Sequence, residues 1–160
     1  MNDSRVMDLA IPKSLLDECY GHGGETYPEE ACGVLSGPQG EPRVDARHPF
    51  ENRMTRLHQL DPVQYPRTGK DGYHMDPLAF LKLEKKLRED GREVKAIYHS
   101  HPDCGAYFSQ EDTDQALWEG QPRHPGIVYL VCGVKQQRPD GAILAWFNPA
   151  TGGFNTKPVE

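Results

Sequence analysis

The chain has 160 residues, of which 36% are hydrophobic, and a net charge of −6, so it can bury the core of one folded domain. No apolar run approaches the roughly 18 residues of a membrane-spanning helix, and the first ten residues lack the apolar segment of a secretory signal. Acidic and basic residues are interleaved without a basic stripe, which argues against a nucleic-acid partner. The four cysteines form no Cys-x-x-Cys pair, so we expect reduced thiols and a cytoplasmic protein.

The N-terminal third is predicted to form one helix and two strands. Apolar residues at helical spacing place the helix at residues 11–20, ending before the glycine-rich segment 21–24. A short apolar run predicts a buried strand over 31–35. Alternating apolar and polar residues around 44–48 indicate a second, adjacent strand, joined to the first by a turn over 37–40.

A predicted surface loop over residues 60–76, rich in Pro, Gly and charge, precedes a second helix. Asp76 is expected to cap this helix, with Pro77 in its first turn and Gly91 at its end. The expected apolar stripe of the helix consists of three leucines, Leu78, Leu81 and Leu87.

The C-terminal half is predicted to continue with strands and one further helix. A strand over 94–99 leads to a helix over 109–118, followed by strands over 126–133 and 142–147 that are joined by a turn over 139–141. Strands and helices alternate, but two strand pairs look like hairpins. The pattern therefore predicts one α/β domain with helices packed against a mixed sheet.

The chemistry-bearing residues cluster where the strand over 94–99 ends. His99 and His101 project from the same face of a strand, because side-chain direction alternates with a period of two, and can offer two imidazoles to one ion. A catalytic zinc needs a third protein ligand and one open position for water. Asp112, in the first turn of the next helix, is the candidate third ligand if the intervening loop folds that turn back over the strand.

Each of these features also has a purely structural interpretation. A His-x-His pair alone is a weak signal, and Ser109 followed by Asp112 can be only a helix N-cap with an acidic first turn. The combination of the four residues at one strand–loop–helix junction is what favours a metal site.

The combined pattern His-Ser-His-Pro, six residues and then Ser-Gln-Glu-Asp, over 99–112, resembles the signature of the JAMM (MPN-plus) metalloproteases. Glu30, two residues before Cys32-Gly33, resembles the second hallmark of that family, and Asn52 falls where its members commonly carry an asparagine. The resemblance extends over about 11–147. It implies a single MPN/JAMM-like α/β domain over 1–160, with a mixed, curved sheet flanked by helices as in cytidine deaminases.

The resemblance also implies roles for the site residues. Zinc, one ion per chain, would be held by His99, His101 and Asp112, and Glu30 would be the general acid/base that the chemistry independently demands. Ser109 would donate a hydrogen bond to the carbonyl oxyanion if its side chain is not fully committed to the cap. Glu29 competes with Glu30, but only Glu30 stands two positions before Cys32.

Two features near the motif leave alternatives open. Cys104 lies between the ligands and could coordinate zinc in place of water, although a loop thiol that never reaches the metal is the preferred interpretation. The loop over 60–76, with Tyr65 and Tyr73, could contact a partner or serve as an exposed spacer.

The implied reaction is hydrolysis of a peptide or isopeptide bond after the C-terminal Gly-Gly of a ubiquitin-like or sulfur-carrier protein, as in the stand-alone prokaryotic members of the family. The alternative is a catalytically silent MPN-type scaffold, although such modules usually lose one or more metal ligands. A nucleoside deaminase is excluded because the sequence lacks both a His-x-Glu motif and a Pro-Cys-x-x-Cys run. The sequence does not indicate the oligomeric state.

Overall fold

A computed structural model describes residues 8–159, which form four helices and eight strands. The helices are α1 (Lys13–Thr26), α2 (Met54–Leu60), α3 (Pro77–Glu89) and α4 (Gln110–Ala116). The strands are β1 (Cys32–Pro38), β2 (Ala46–Phe50), β3 (Arg92–Pro102), β4 (Leu117–Trp118), β5 (Gln121–Pro122), β6 (Val128–Lys135), β7 (Arg138–Asn148) and β8 (Gly153–Val159). None of the helices within 8–159 is long and apolar enough to cross a membrane.

Six strands form one mixed sheet in the order β2-β1-β3-β6-β7-β8. The central pair β3–β6 is parallel, and every other neighbouring pair is antiparallel. This arrangement confirms the predicted α/β class with a mixed sheet flanked by helices, including the two antiparallel pairs β1–β2 and β6–β7. The short strands β4 and β5 form a separate two-stranded ribbon after α4.

Helices cover both faces of the sheet, and β3 contributes to both layers. Helix α1 packs on one face, where Tyr98 and Ala96 of β3 belong to its core cluster. Helices α3 and α4 lie on the other face, where Ile97 of β3 packs with Phe80 of α3 and Ala116 of α4. Because side chains alternate along a strand, His99 and His101 lie on the α3–α4 face.

Helix α1 does not end before residue 21 as predicted, but continues through the glycine-rich segment to Thr26. Close packing against the sheet explains the glycine at position 23. A Cβ atom built on Gly23 would lie 2.7 Å from Val134 Cγ2 and 2.9 Å from Ser100 Cβ. The glycine here lets the helix approach β3 and β6 instead of stopping the helix.

The capping of α3 was predicted correctly, and so was the burial of Leu87, but the other two leucines of its predicted apolar stripe are exposed. Asp76 accepts a hydrogen bond from the Leu78 N–H, and Gly91 has a positive φ of 73° just after the helix. Leu78 and Leu81 are 58% and 60% exposed. The buried face is instead formed by Phe80 and Leu87, with Leu83 packed beside them.

Three further elements differ from the sequence-based expectation. Helix α2 begins before the predicted loop and ends within it, at Leu60. The β6–β7 turn lies at Gln136–Gln137, whose positive φ values of 49° and 68° suit a tight hairpin turn, instead of at 139–141. Strand β8 was not predicted, and it pairs with β7 along the edge of the sheet.

Candidate metal centre

Strand β3 places two histidine side chains at the buried centre of the sheet. His99 pairs with β1 on one side and β6 on the other, and both His99 and His101 are buried. Their Nε2 atoms lie 3.1 Å apart on the α3–α4 face. The predicted convergence of the two imidazoles is therefore present in the structure.

The contacts of each imidazole ring indicate which of its two nitrogens faces the other residues of the site. The Nδ1 atom of His101 lies 3.1 Å from the carbonyl oxygen of Gly105, which can only accept, so Nδ1 carries a proton and Nε2 is the nitrogen that faces His99 and Asp112. Within residues 8–159, Nδ1 of His99 has no hydrogen-bond partner. The His99 ring instead stacks on Tyr73, with the ring centroids 4.6 Å apart.

Asp112 reaches both imidazoles because the capping box of α4 holds its side chain. Ser109 Oγ accepts a hydrogen bond from the Asp112 N–H, and Asp112 Oδ2 accepts one from the Ser109 N–H, each at 3.0 Å. One carboxylate oxygen lies 3.2 Å from His99 Nε2 and the other lies 3.2 Å from His101 Nε2. The structural and the metal-binding interpretations of the Ser109–Asp112 motif are thus compatible.

The pKa of Asp112 reflects this environment. Burial by itself would raise its pKa, but the two imidazoles and the Ser109 N–H together hold the pKa well below its ordinary value. The side chain is therefore a carboxylate, the form in which an aspartate coordinates a metal.

The separations between these groups fit a metal ion. Ligands about 2.0–2.1 Å from a tetrahedral zinc lie about 3.3–3.4 Å from one another. The two Nε2 atoms and the Asp112 oxygens are separated by 3.1–3.2 Å. Two imidazole nitrogens and a carboxylate are also the donor set that suits zinc among the common divalent ions.

Glu30 is the second carboxylate at the site. One donor atom each from Glu30, His99 and His101 lies within 4.8 Å of the others. Glu30 is 5% exposed, and its Oε1 has no hydrogen-bond partner within residues 8–159. Burial, aided by the negative charges of Asp112 and Glu111, raises the pKa of Glu30 to about 9. By donor distance alone, Glu30 could also be counted as a metal ligand.

The two carboxylates nevertheless differ in how they are held. Asp112 has a fixed side chain whose oxygens point at both Nε2 atoms, whereas Glu30 is bonded through its backbone and leaves a side-chain oxygen free. The Glu30 N–H donates to Gly69 O at 2.6 Å, and its carbonyl accepts from Asn52 Nδ2 at 2.9 Å. This arrangement fits Asp112 as the fixed ligand and Glu30 as a group free to exchange a proton.

Asn52 ties the Glu30 segment to the loop after α2. Its Nδ2 also donates to Gly72 O at 3.1 Å, and its Oδ1 accepts from the N–H groups of Met54 and His74. On the other side of Glu30, Ser100 Oγ accepts the Ala31 N–H at 2.7 Å. Side chains from two separate segments therefore fix the backbone that carries Glu30.

The two competing residues lie outside this cluster. Glu29 is half-buried and accepts a hydrogen bond from Thr55 Oγ1, so it is not simply a solvated loop acid. Cys104 is exposed, and among the described residues the cluster of mutually close donor atoms does not include it. That Cys104 is a loop thiol that never reaches the metal stays a prediction.

The loop between the ligands is anchored at its start by Asp103. This residue has a positive φ of 60°, its Oδ1 accepts from the Gln136 N–H at 2.9 Å, and Tyr27 Oη donates to its Oδ2. These bonds connect the loop to the end of α1 and to the β6–β7 turn. These hydrogen bonds therefore fix the start of the loop that brings α4 back towards β3.

Tyr73 is the site residue that sequence reasoning missed. It lies in the segment that the sequence predicts to be a partner-contacting loop or an exposed spacer, but it is buried against His99. A single aromatic residue in a Pro- and Gly-rich segment has no periodic pattern to mark it as buried, so the sequence alone carries no signal for this contact.

The fold and the site together define an α/β domain with a candidate metal centre at the middle of a mixed sheet. The family model for prokaryotic homologs of the JAB domain matches residues 12–147, and the chain belongs to this family. This membership confirms the resemblance drawn from the His-x-His and Glu30 motifs.

Curated relatives include three named proteins that cover most of this chain. The desampylase of Haloferax volcanii is 31% identical over 141 residues, which span 86% of this chain and 85% of the relative. The probable TtuB-protein conjugate cleaving protease of Thermus thermophilus is 34% identical over 79% of this chain and 73% of its own length. The CysO-cysteine peptidase of Mycobacterium tuberculosis is 32% identical over 97% of this chain and 92% of its own length.

Solved structures show the same fold. A solution structure from Desulfitobacterium hafniense covers 92% of this chain and 88% of its own, with a TM-score of 0.64 and 26% identity. A second, from Salinibacter ruber, covers 92% of this chain and 87% of its own, with a TM-score of 0.60 and 28% identity.

Proposed function

We propose that the protein is a zinc-dependent peptidase that hydrolyses the amide bond after the C-terminal Gly-Gly of a ubiquitin-like or sulfur-carrier protein. The names of the curated relatives support the substrate class, because two of them are a protein-conjugate cleaving protease and a CysO-cysteine peptidase. The observation that carries the chemistry is the pair of unlike carboxylates, Asp112 and Glu30, beside the same two imidazoles.

His99, His101 and Asp112 are the residues that would hold the zinc ion. When bound, zinc supplies Lewis acidity, which polarises a carbonyl and makes a water molecule more acidic. Glu30 has the position of a general acid/base, and its burial raises its pKa above that of an ordinary carboxyl, towards the range in which a carboxyl can both accept and return a proton. We assign it to accept the proton of the attacking water and to return that proton to the leaving amine.

Ser109 is proposed to stabilise the oxyanion of the scissile carbonyl. As the cap of α4, its Oγ uses a lone pair to accept the Asp112 N–H. Among residues 8–159, no group accepts a hydrogen bond from this hydroxyl. Its proton is therefore available for donation to substrate. The capping role and the oxyanion role therefore use different parts of the same hydroxyl.

A silent scaffold is not supported by a specific observation. The proposed ligands and Glu30 are all present and close together, and the curated relatives include enzymes. We also propose a cytoplasmic location, which agrees with the four unpaired cysteines.

The test compares zinc content and cleavage in two matched variants, Glu30→Gln and Glu29→Gln. The substrate is a ubiquitin-like protein with a peptide extension after its Gly-Gly. We expect Glu30→Gln to retain zinc and lose about 10²–10⁴-fold in kcat, because proton transfer by a placed side chain contributes that much. Glu29→Gln should stay within a few-fold of wild type. Full activity in Glu30→Gln would refute the assigned base, and a zinc-loaded wild type that cleaves no Gly-Gly substrate would refute the proposed function.

A further inference from the structure

A cavity of about 320 Å³ lies beside the candidate metal centre, on the same face of the sheet. Its volume is at the lower end of the range of small-molecule pockets in proteins. Polar side chains, including Arg123, line part of its wall. The apolar and aromatic part of the lining comes from Tyr73, Met75, Phe80, Ile97, Ala116 and Tyr129.

Residue spacing along β3 and along α4 independently places this cavity next to the proposed ligands. Ile97 precedes His99 by two residues on β3, so their side chains leave the same face about 7 Å apart. Ala116 follows Asp112 by one turn of α4, a rise of about 6 Å on the same side of the helix. Tyr73 separates the two spaces, because its ring stacks on His99 and also lines the cavity.

The topology indicates which part of a substrate would lie there. Glu30, the group assigned to protonate the leaving amine, immediately precedes the segment that enters β1, on one side of β3. Tyr129 of the cavity belongs to β6, on the other side of β3. The leaving group is therefore expected on the β1 side, and the acyl chain that ends in Gly-Gly is expected to run towards the cavity.

We propose that this cavity binds a large apolar side chain of the residue that immediately precedes the Gly-Gly pair of the substrate. The inference rests on the proposed function and specifies its substrate. In an extended chain, residues two positions apart point to the same side and are separated by about 6.8 Å. This spacing matches the distance from the ligands to Ile97 and Ala116. A basic side chain at this position would lose hydration against Phe80 and Ile97 and would be repelled by Arg123, which disfavours it.

The experiment uses one ubiquitin-like carrier with three tails, Leu-Gly-Gly, Ala-Gly-Gly and Lys-Gly-Gly, each followed by the same extension. We expect wild-type kcat/KM to be at least about tenfold higher for the leucine tail than for the alanine tail, and lowest for the lysine tail. In Ala116→Leu, which fills the cavity, the leucine-to-alanine ratio should fall to about one. Ala79→Leu is the matched control, since Ala79 is exposed on α3 and does not line the cavity, and it should keep the wild-type ratio.

A binding measurement separates this inference from the proposed hydrolysis. Peptides that end in Leu-Gly-Gly and Ala-Gly-Gly are titrated into the wild-type protein by calorimetry, with the leucine peptide expected to have a Kd about tenfold lower. Equal cleavage of all tails with equal peptide affinities would overturn the cavity assignment and leave the hydrolase intact. Selective binding without cleavage of any tail would overturn the hydrolase and support the cavity. An unchanged selectivity in a folded Ala116→Leu variant would also overturn the cavity assignment.

Discussion

Asp112 and Glu30 lie beside the same imidazoles, but their protonation is controlled in opposite directions. The imidazoles and the Ser109 N–H lower the pKa of Asp112, despite its burial. Burial raises the pKa of Glu30 to about 9, and no hydrogen bond to its Oε1 within residues 8–159 offsets that effect. Neighbouring titratable groups whose pKa values are shifted in opposite directions are typical of an acid/base site. The difference arises because Asp112 has the imidazoles and the Ser109 N–H beside it, whereas burial and nearby negative charges dominate at Glu30.

Replacing Asp112 by Asn should abolish metal binding while the fold persists. The amide keeps an oxygen and the approximate size, but it loses the charge that offsets the ion. We expect zinc per chain, measured by mass spectrometry after desalting, to fall from about one to a small fraction. Asp114→Asn is the matched control, because Asp114 is exposed on the same helix, where it accepts a hydrogen bond from Gln110. Equal zinc in wild type and Asp112→Asn would remove Asp112 from the proposed ligands.

Helix α1 is the element in which local sequence preference and packing disagree. Gly21, Gly23 and Gly24 lower its helix propensity, yet the helix continues because Gly23 lets it approach Ser100 and Val134. Ser100 in turn accepts the Ala31 N–H beside Glu30. The close approach of α1 therefore supports the geometry of the site from the opposite face of the sheet.

Alanine at Gly23 and alanine at Gly21 should change the free energy of unfolding in opposite directions. Gly23→Ala should lower the free energy of unfolding by about 1–3 kcal/mol, because its Cβ would overlap Ser100 and Val134. Gly21→Ala, exposed and with no neighbouring atom within 4 Å of its Cβ, should raise it by up to about 1 kcal/mol. Urea denaturation followed by circular dichroism measures both values. A stabilised Gly23→Ala variant would contradict the packing role.

Most element types could be predicted from the sequence, but several boundaries and faces could not. The α3 stripe failed because Leu78, Leu81 and Phe80 all lie within one helical turn, so sequence periodicity did not identify the face that meets the sheet. Strand β8 was missed because it contains Gly153 and Pro158 and is supported by pairing with β7. Such tertiary contacts are absent from any local sequence window.

The candidate site was more predictable than the fold details. His99 and His101 are brought together by strand alternation, and Asp112 by the capping signal of α4, both of which are readable locally. Tyr73 and the four hydrogen bonds of Asn52 depend on how a loop returns to β3, which no local pattern specifies. For Asn52, the family resemblance is the one signal that the sequence carries.

At the scale of the whole molecule, the proposed metal would join β3 to α4, two elements that belong to different parts of the fold. They are connected through the loop 103–108, and α4 has only seven residues. A ligand that binds only the folded state stabilises it by about 2.7 kcal/mol at a concentration one hundred times its Kd.

Removal of metal by a chelator should therefore lower the Tm. With about 2–4 °C per kcal/mol for a chain of this size, we expect a decrease of about 5–10 °C by scanning calorimetry. Asp112→Asn should show little response to the same chelator, which serves as the control. An identical decrease in that variant would mean that the chelator acts elsewhere on the protein.

The alternation of side chains along β3 limits which mutations this strand can accept. Ile97, His99 and His101 serve the chemistry, while Tyr98, held by His22 and Arg47, and Ser100 anchor the opposite layer. Inserting or deleting one residue within the strand would exchange the two sets and bury the imidazoles against α1. Length changes can therefore be accommodated in the loops on either side of β3, but the strand itself tolerates only substitution.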